Sequence, residues 1–208
     1  MNWFERVNGS AKIVFMLQEA LAAMGPGIEE LLWDHGVSFL ELSPGVPFVA
    51  IPDEYFPEEI EKKGHVQMDQ MGYGMVEGFY NHKRRMIVLR NPQRYVLIHE
   101  IGHALDHALN WYGSDVLTGK DDPARFDHIR GGWRQRKPRE PFSQYAMTHP
   151  RERFAEAFAG YLDAEPGTFG RYAIDRLRAT DRTAAALMRR IFREANGSIF
   201  EMDCRPVA

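Results

Sequence analysis

His99-Glu100-Ile101-Gly102-His103 is the stretch whose residue types and spacing could do chemistry, because it carries the HExxH pattern. On a helix, residues four apart share one face about 5 to 6 Å from each other, so the imidazoles of His99 and His103 can reach a single ion. That donor pair suits zinc. Two imidazoles leave room for a third protein ligand and a water, the open and roughly tetrahedral arrangement of hydrolytic zinc sites, with Glu100 projecting where a general base is needed. The expectation is one Zn2+ per chain, with His99 and His103 as two ligands and Glu100 as the base.

A zinc helix needs a third ligand, and the flanking residues limit where it can come from. Pro92 to Leu109 reads as one uninterrupted helix with a proline suited to its first turn. Leu97, Ile98, Ile101, Leu105 and Leu109 mark an apolar face, which predicts a helix buried along much of its length. A histidine or carboxylate left unpaired there would be costly, and a metal removes that cost. A metzincin places its third histidine six residues after the second, where this chain has Leu109, so that class is excluded. His107 lies one turn beyond His103. Three ligands spread over two turns of one straight helix cannot converge at bond lengths near 2.1 Å, so His107 reads as a structural or rim histidine.

A second group of chemistry-bearing residues follows between Tyr145 and Phe158. Thr148 or His149 followed by Pro150 reads as a helix start, and Phe154, Phe158, Tyr161 and Leu162 mark its apolar face. Glu152 and Glu156 are four apart and point the same way from that helix. Two like charges on one face repel unless one binds a cation and the other meets a donor. A zinc site offers both tasks, since one carboxylate can ligate the metal and the other can accept the free ring N–H of a ligating histidine. The competing reading is a solvated acidic stripe balanced by Arg151 and Arg153.

The run from His99 to Asp106, then a tyrosine, then Glu152 to Phe158 together resemble the gluzincin metallopeptidases of the anthrax lethal factor type, which include secreted Pro-Pro endopeptidases. The resemblance covers roughly residues 75 to 165. It implies that Glu152 is the third zinc ligand and that Tyr145, seven residues earlier, assists catalysis by a hydrogen bond to the developing oxyanion. Glu156 would then orient a ligating histidine, with Asp106 a weaker candidate for the same task. The activity implied is zinc-dependent hydrolysis of a peptide bond in a peptide or protein substrate. Two alternatives stay open: a zinc-stabilised binding module without turnover, and a regulatory or toxin-type protease with one protein target.

These residues must be held by a fold: the predicted elements make an α+β domain, and the resemblance implies a zincin-like metalloprotease domain. Its parts would be a small mixed sheet with an edge hairpin packed on the HExxH helix, followed by a mainly helical C-terminal region. Val37 to Leu42 and Phe48 to Ile51 are strand candidates around Ser43-Pro44-Gly45. Met75 to Tyr80 and Arg84 to Arg90 form the predicted hairpin, one arm of which is the candidate edge for an extended substrate. An amphipathic helix is expected from Ala11 to Ala23, stopped by Gly25-Pro26-Gly27, and further helices over Phe169 to Ala179 and Arg182 to Ala195. Gly113 to Pro141 reads as a loop-rich insertion. The expected organisation is a single domain over 1–208, with an N-terminal α/β part to 70, a catalytic core over 75–165 and C-terminal helices and tail over 166–208.

Composition bounds the remainder. A chain of 208 residues with 44% hydrophobic residues can bury a full core without staples. Its one cysteine, Cys204, cannot form an internal disulfide and reads as an incidental thiol. The net charge of -3 argues against a nucleic-acid surface, and the one basic run, Arg134 to Arg139, reads as a solvated loop. No segment approaches the roughly 20 apolar residues of a membrane span. The expectation is therefore a cytoplasmic chain, with export as an effector by another route left open.

Overall fold

The computed structural model describes residues 1–43, 45–56, 58–70, 77–118, 149–162 and 177–197. After a 3-10 turn at Trp3–Arg6 come a short strand β1 (Val7–Asn8) and helix α1 (Ala11–Met24). Ile13, Met16, Leu17, Ala20, Leu21 and Met24 recur at helical spacing and are all buried, so α1 packs one apolar stripe on the core. Gly25 ends it at φ 84°, a conformation that favours glycine, and Pro26 opens α2 (Pro26–His35) at its first position. The breakers expected to end a helix thus form a corner between two helices, and α2 went unforeseen.

Among the described residues, four strands make a mixed sheet in the order β1-β2-β4-β3, with β2 at Ser38–Glu41, β3 at Gly78–Asn81 and β4 at Met86–Leu89. β1, β2 and β4 run parallel, and β3 pairs antiparallel with β4 as the predicted hairpin. Alternation along the strands gives the sheet two buried faces. Phe39, Tyr80, Ile87 and Leu89 join the main core, whereas Leu40, Phe79 and Val88 join a smaller cluster with Phe48, Ile51 and Phe56.

That smaller cluster corrects one expectation. Phe48 to Ile51 is not a strand: Phe48–Ala50 is a 3-10 turn between Pro47 and Pro52. Both prolines lack the N–H a ladder needs, and a three-residue turn brings Phe48 and Ile51 to one side, where both are buried. Helix α3 (Glu59–Gln70), also unforeseen, lies near this turn.

The main core is helical on its other side. α4 (Arg94–Ala108) carries HExxH, α5 (Tyr112–Thr118) follows it, α6 (Pro150–Tyr161) carries Glu152 and Glu156, and α7 (Arg182–Asn196) closes the described chain. Pro92 sits just outside α4, before the cap residue Gln93, rather than in its first turn. α6 begins as the sequence predicts, with His149 as its cap, accepting the Arg151 N–H through its side chain, and Pro150 at the first position. α5 occupies the start of the segment expected to be loop, and residues 119–141 lie outside the described residues, as do 169–176 and Cys204. Among the described residues no helix is long and apolar enough to cross a membrane.

α4 and α6 pack closely along their length, and Gly102 is the reason they can. A Cβ at Gly102 would meet the Ala155 Cα at 2.9 Å, so only glycine admits this approach. Arg153 braces the far side of α6. Its guanidinium donates to both carboxylate oxygens of Asp181 at 2.6 and 2.8 Å and to the Leu117 carbonyl at 3.2 Å, tying α6 to α7 and α5. Asp181 also caps α7 by accepting the Ala184 N–H at 3.0 Å.

Candidate metal centre

The helical repeat sets His99 and His103 on one face of α4, with ring centroids 4.9 Å apart. Opposite them, α6 presents Glu152. Its Oε2 lies 3.2 Å from His99 Nε2 and 3.3 Å from His103 Nε2, and the three residues' ligand atoms all fall within 4.8 Å of one another. Two imidazole nitrogens and a carboxylate oxygen converging this closely could hold one metal ion. Glu156, one turn further along α6, lies behind the cluster, with its Oε1 3.0 Å from His99 Nδ1. The Tyr95 hydroxyl donates to the same oxygen. The two glutamates therefore take opposite sides of the His99 ring.

Charge in this cluster is strongly redistributed. Burial disfavours the cationic form of His99, but hydrogen bonds to Glu152 and Glu156 outweigh it and raise its pKa to about 10. Burial also works against the Glu152 carboxylate, yet hydrogen bonds from His103 and His99 hold its pKa well below the usual range. Glu100 is only 5% exposed, and burial pushes its carboxyl up. Its Oε2 has no hydrogen-bond partner among the described residues. A buried carboxylate oxygen without a donor, next to a converged His-His-Glu set, fits a centre built around a metal and a water.

The remaining predicted residues are placed as follows. Asp106, fully buried, accepts the Ser114 N–H at 3.1 Å and the Ser114 hydroxyl, and it makes no hydrogen bond to either motif histidine among the described residues. These bonds tie it to the first turn of α5. Tyr145 lies outside the described residues. His107 turns away to a separate group: its Nδ1 is 2.9 Å from the Tyr80 hydroxyl and 3.1 Å from His35 Nε2, and its ring stacks on Trp111 at 4.7 Å.

A cleft of about 800 Å³ opens over the cluster, within the range of ligand-binding pockets. β3 forms one wall, and its outer edge is unpaired among the described residues. His82, Tyr95, Trp111 and Arg151 also line the cleft, and the sequence pointed to none of them. Tyr95 could have been found, since it precedes His99 by four residues. Nothing local marked the others, which reach the cleft through turns and inter-helix packing.

The sequence matches no protein-family model and no curated protein. Its structure is similar to that of the Pro-Pro endopeptidase PPEP-2 from Paenibacillus alvei, with a TM-score of 0.57 over 91% of this chain and 98% of that chain. The two are 16% identical in sequence. At that distance the likeness establishes a shared α+β fold, with a small mixed sheet and a helical C-terminal part.

Proposed function

We propose that this chain is a zinc-dependent endopeptidase of the gluzincin type, with His99, His103 and Glu152 as the protein ligands of one zinc ion. The observation that carries the reading is the convergence of those three side chains beside Glu100, whose buried Oε2 has no donor among the described residues. When bound, zinc supplies a Lewis acid that polarises a scissile carbonyl and makes a water nucleophilic near neutral pH. Glu100 takes the proton from the attacking water and delivers it to the departing amine. Glu156 holds the His99 ring from behind, with Tyr95 steadying Glu156. Tyr145 is assigned the hydrogen bond to the oxyanion on its offset from Glu152. The edge of β3, unpaired among the described residues, receives an extended peptide by main-chain hydrogen bonds, which favours a peptide or protein substrate. The fold shared with a Pro-Pro endopeptidase supports the same reading.

The test is metal analysis joined to digestion of a broad peptide library. Glu100→Gln is expected to keep stoichiometric zinc and lose about 10²- to 10⁴-fold in kcat/KM, whereas Glu152→Ala loses zinc affinity. Full zinc affinity in Glu152→Ala would sink the ligand assignment. Wild-type protein that carried zinc and cut nothing would be a zinc-stabilised binding module instead.

A further inference from the structure

Arg151 and Arg153 sit two residues apart on α6 and meet opposite fates. Arg153 is buried and donates to Asp181 and to the Leu117 carbonyl. Arg151 is half-buried, lines the cleft, and lies with its guanidinium carbon 3.7 Å from the centroid of the Trp111 ring. No carboxylate pairs with it among the described residues. Stacking engages the face of a guanidinium and leaves its in-plane N–H groups free to donate.

The Trp111 platform is held at a conformational cost. Asn110 and Trp111 both adopt positive φ, 56° and 63°, where non-glycine residues are strained. The surrounding structure imposes it: the Asn110 N–H donates to the His107 carbonyl at 2.9 Å, the Trp111 N–H donates to the Asp106 carbonyl at 2.7 Å, and the indole stacks on His107. A strained, multiply anchored aromatic carrying an arginine is a pre-organised cationic wall. His82, edge-on to Trp111 at 6.3 Å, follows directly after β3, so this wall stands at the Asn81 end of the substrate edge. At the other end, Glu77 precedes Gly78 and also lines the cleft. Among the described residues, the cleft thus carries a guanidinium near one end of β3 and a carboxylate at the other, which favours a negatively charged ligand group at the Arg151 end.

We infer that Arg151 is a specificity-determining residue: it receives a carboxylate of the peptide substrate at the His82 end of the cleft, either an Asp or Glu side chain or the free C-terminus. A carboxylate matches the guanidinium fork in two parallel hydrogen bonds, which a neutral amide cannot do. The inference rests on the peptidase reading for its ligand, and its test separates the two.

The probes are matched peptides carrying Glu or Gln at each position in turn, each made with a free C-terminal carboxylate and with a C-terminal amide. Binding is measured on the zinc-loaded Glu100→Gln chain and cleavage on the wild type. At one position, or at the C-terminus, the acidic member binds about 10- to 100-fold more tightly than its neutral partner. The Glu/Gln and acid/amide arms tell the side chain from the terminus. Arg151→Gln brings the ratio to about one, Arg151→Glu inverts it, and Arg151→Lys leaves an intermediate value because it keeps the charge and loses the fork. A ratio near one with Arg151 intact overturns the inference without any Arg151 variant, and so does a ratio that persists in Arg151→Gln. Acidic preference in binding with no cleavage would keep the carboxylate site and overturn the peptidase; cleavage without preference would do the reverse.

Discussion

α4 carries three histidines at four-residue intervals, and two regions of the molecule treat them in opposite ways. His99 and His103 face the carboxylates of α6, and His99 is pushed up to about 10. One turn later His107 faces burial first, then His35, His82, Arg85 and Arg151, and its pKa falls to about 4. His35 is lowered too, by burial and by Arg85. The residue type is the same in both regions and the helix is continuous. The surroundings decide: carboxylates draw the first pair into a cluster that could hold a cation, while burial, cations and aromatic rings make a neutral packing group of His107.

The most direct way to break this contrast is to remove one histidine from each region. Spreading the ~10–16 kcal/mol of a zinc site over four ligands gives about 3 kcal/mol each, so His103→Gln is expected to weaken zinc about 100- to 1000-fold in a chelator competition. His107→Gln should leave zinc affinity within about threefold. Equal losses in the two variants would erase the distinction.

A smaller effect sharpens the carboxylate side. Glu156→Gln keeps the shape but removes the charge behind His99, and it should cost about 10- to 100-fold in zinc affinity with the fold intact. Asp106→Asn, although its carboxylate is equally buried, should lower thermal stability and spare zinc, because its partner is Ser114. Zinc loss in Asp106→Asn and none in Glu156→Gln would exchange their roles.

The smallest effect tests the other region through pH. A histidine with its folded pKa at about 4 against an ordinary 6.5 cannot take up the proton that the unfolded chain takes up below 6.5. Stability of the chelator-treated protein should therefore fall as pH drops from about 6.5 toward 4, with solvent screening keeping the slope well under ~1.4 kcal/mol per pH unit. His99 adds nothing to that slope, because its contribution is fully present below 6.5 and is lost only as pH rises through about 10. Glu152, with its carboxyl held low, matters only below its ordinary 4.5. Urea titrations at several pH values should show a shallower decline in His107→Gln. An unchanged decline would place the acid-sensitive group elsewhere.

Much of the arrangement was legible because its signals are local. HExxH, the i,i+4 pair Glu152 and Glu156, the His149-Pro150 start of α6 and the hairpin around Asn81 each depend on a few neighbouring residues. α2 was missed because Gly25-Pro26-Gly27 looks the same whether a helix stops or turns a corner. α3 was missed because it is largely polar. The Phe48 to Ile51 segment read as a strand because apolar runs do not reveal their own period, and the flanking prolines outweighed the apolar character.

By itself, then, the sequence determined which candidate donors pair within each helix, since helical periodicity fixes which side chains share a face. It could not determine which face meets which. That His99 lies between Glu152 and Glu156, that Gly102 lets α6 come close enough for it, and that Arg151 reaches the cleft while Arg153 locks onto Asp181 are outcomes of packing between segments far apart in the chain. Such contacts follow from shape and burial across the whole core, and no local spacing encodes them.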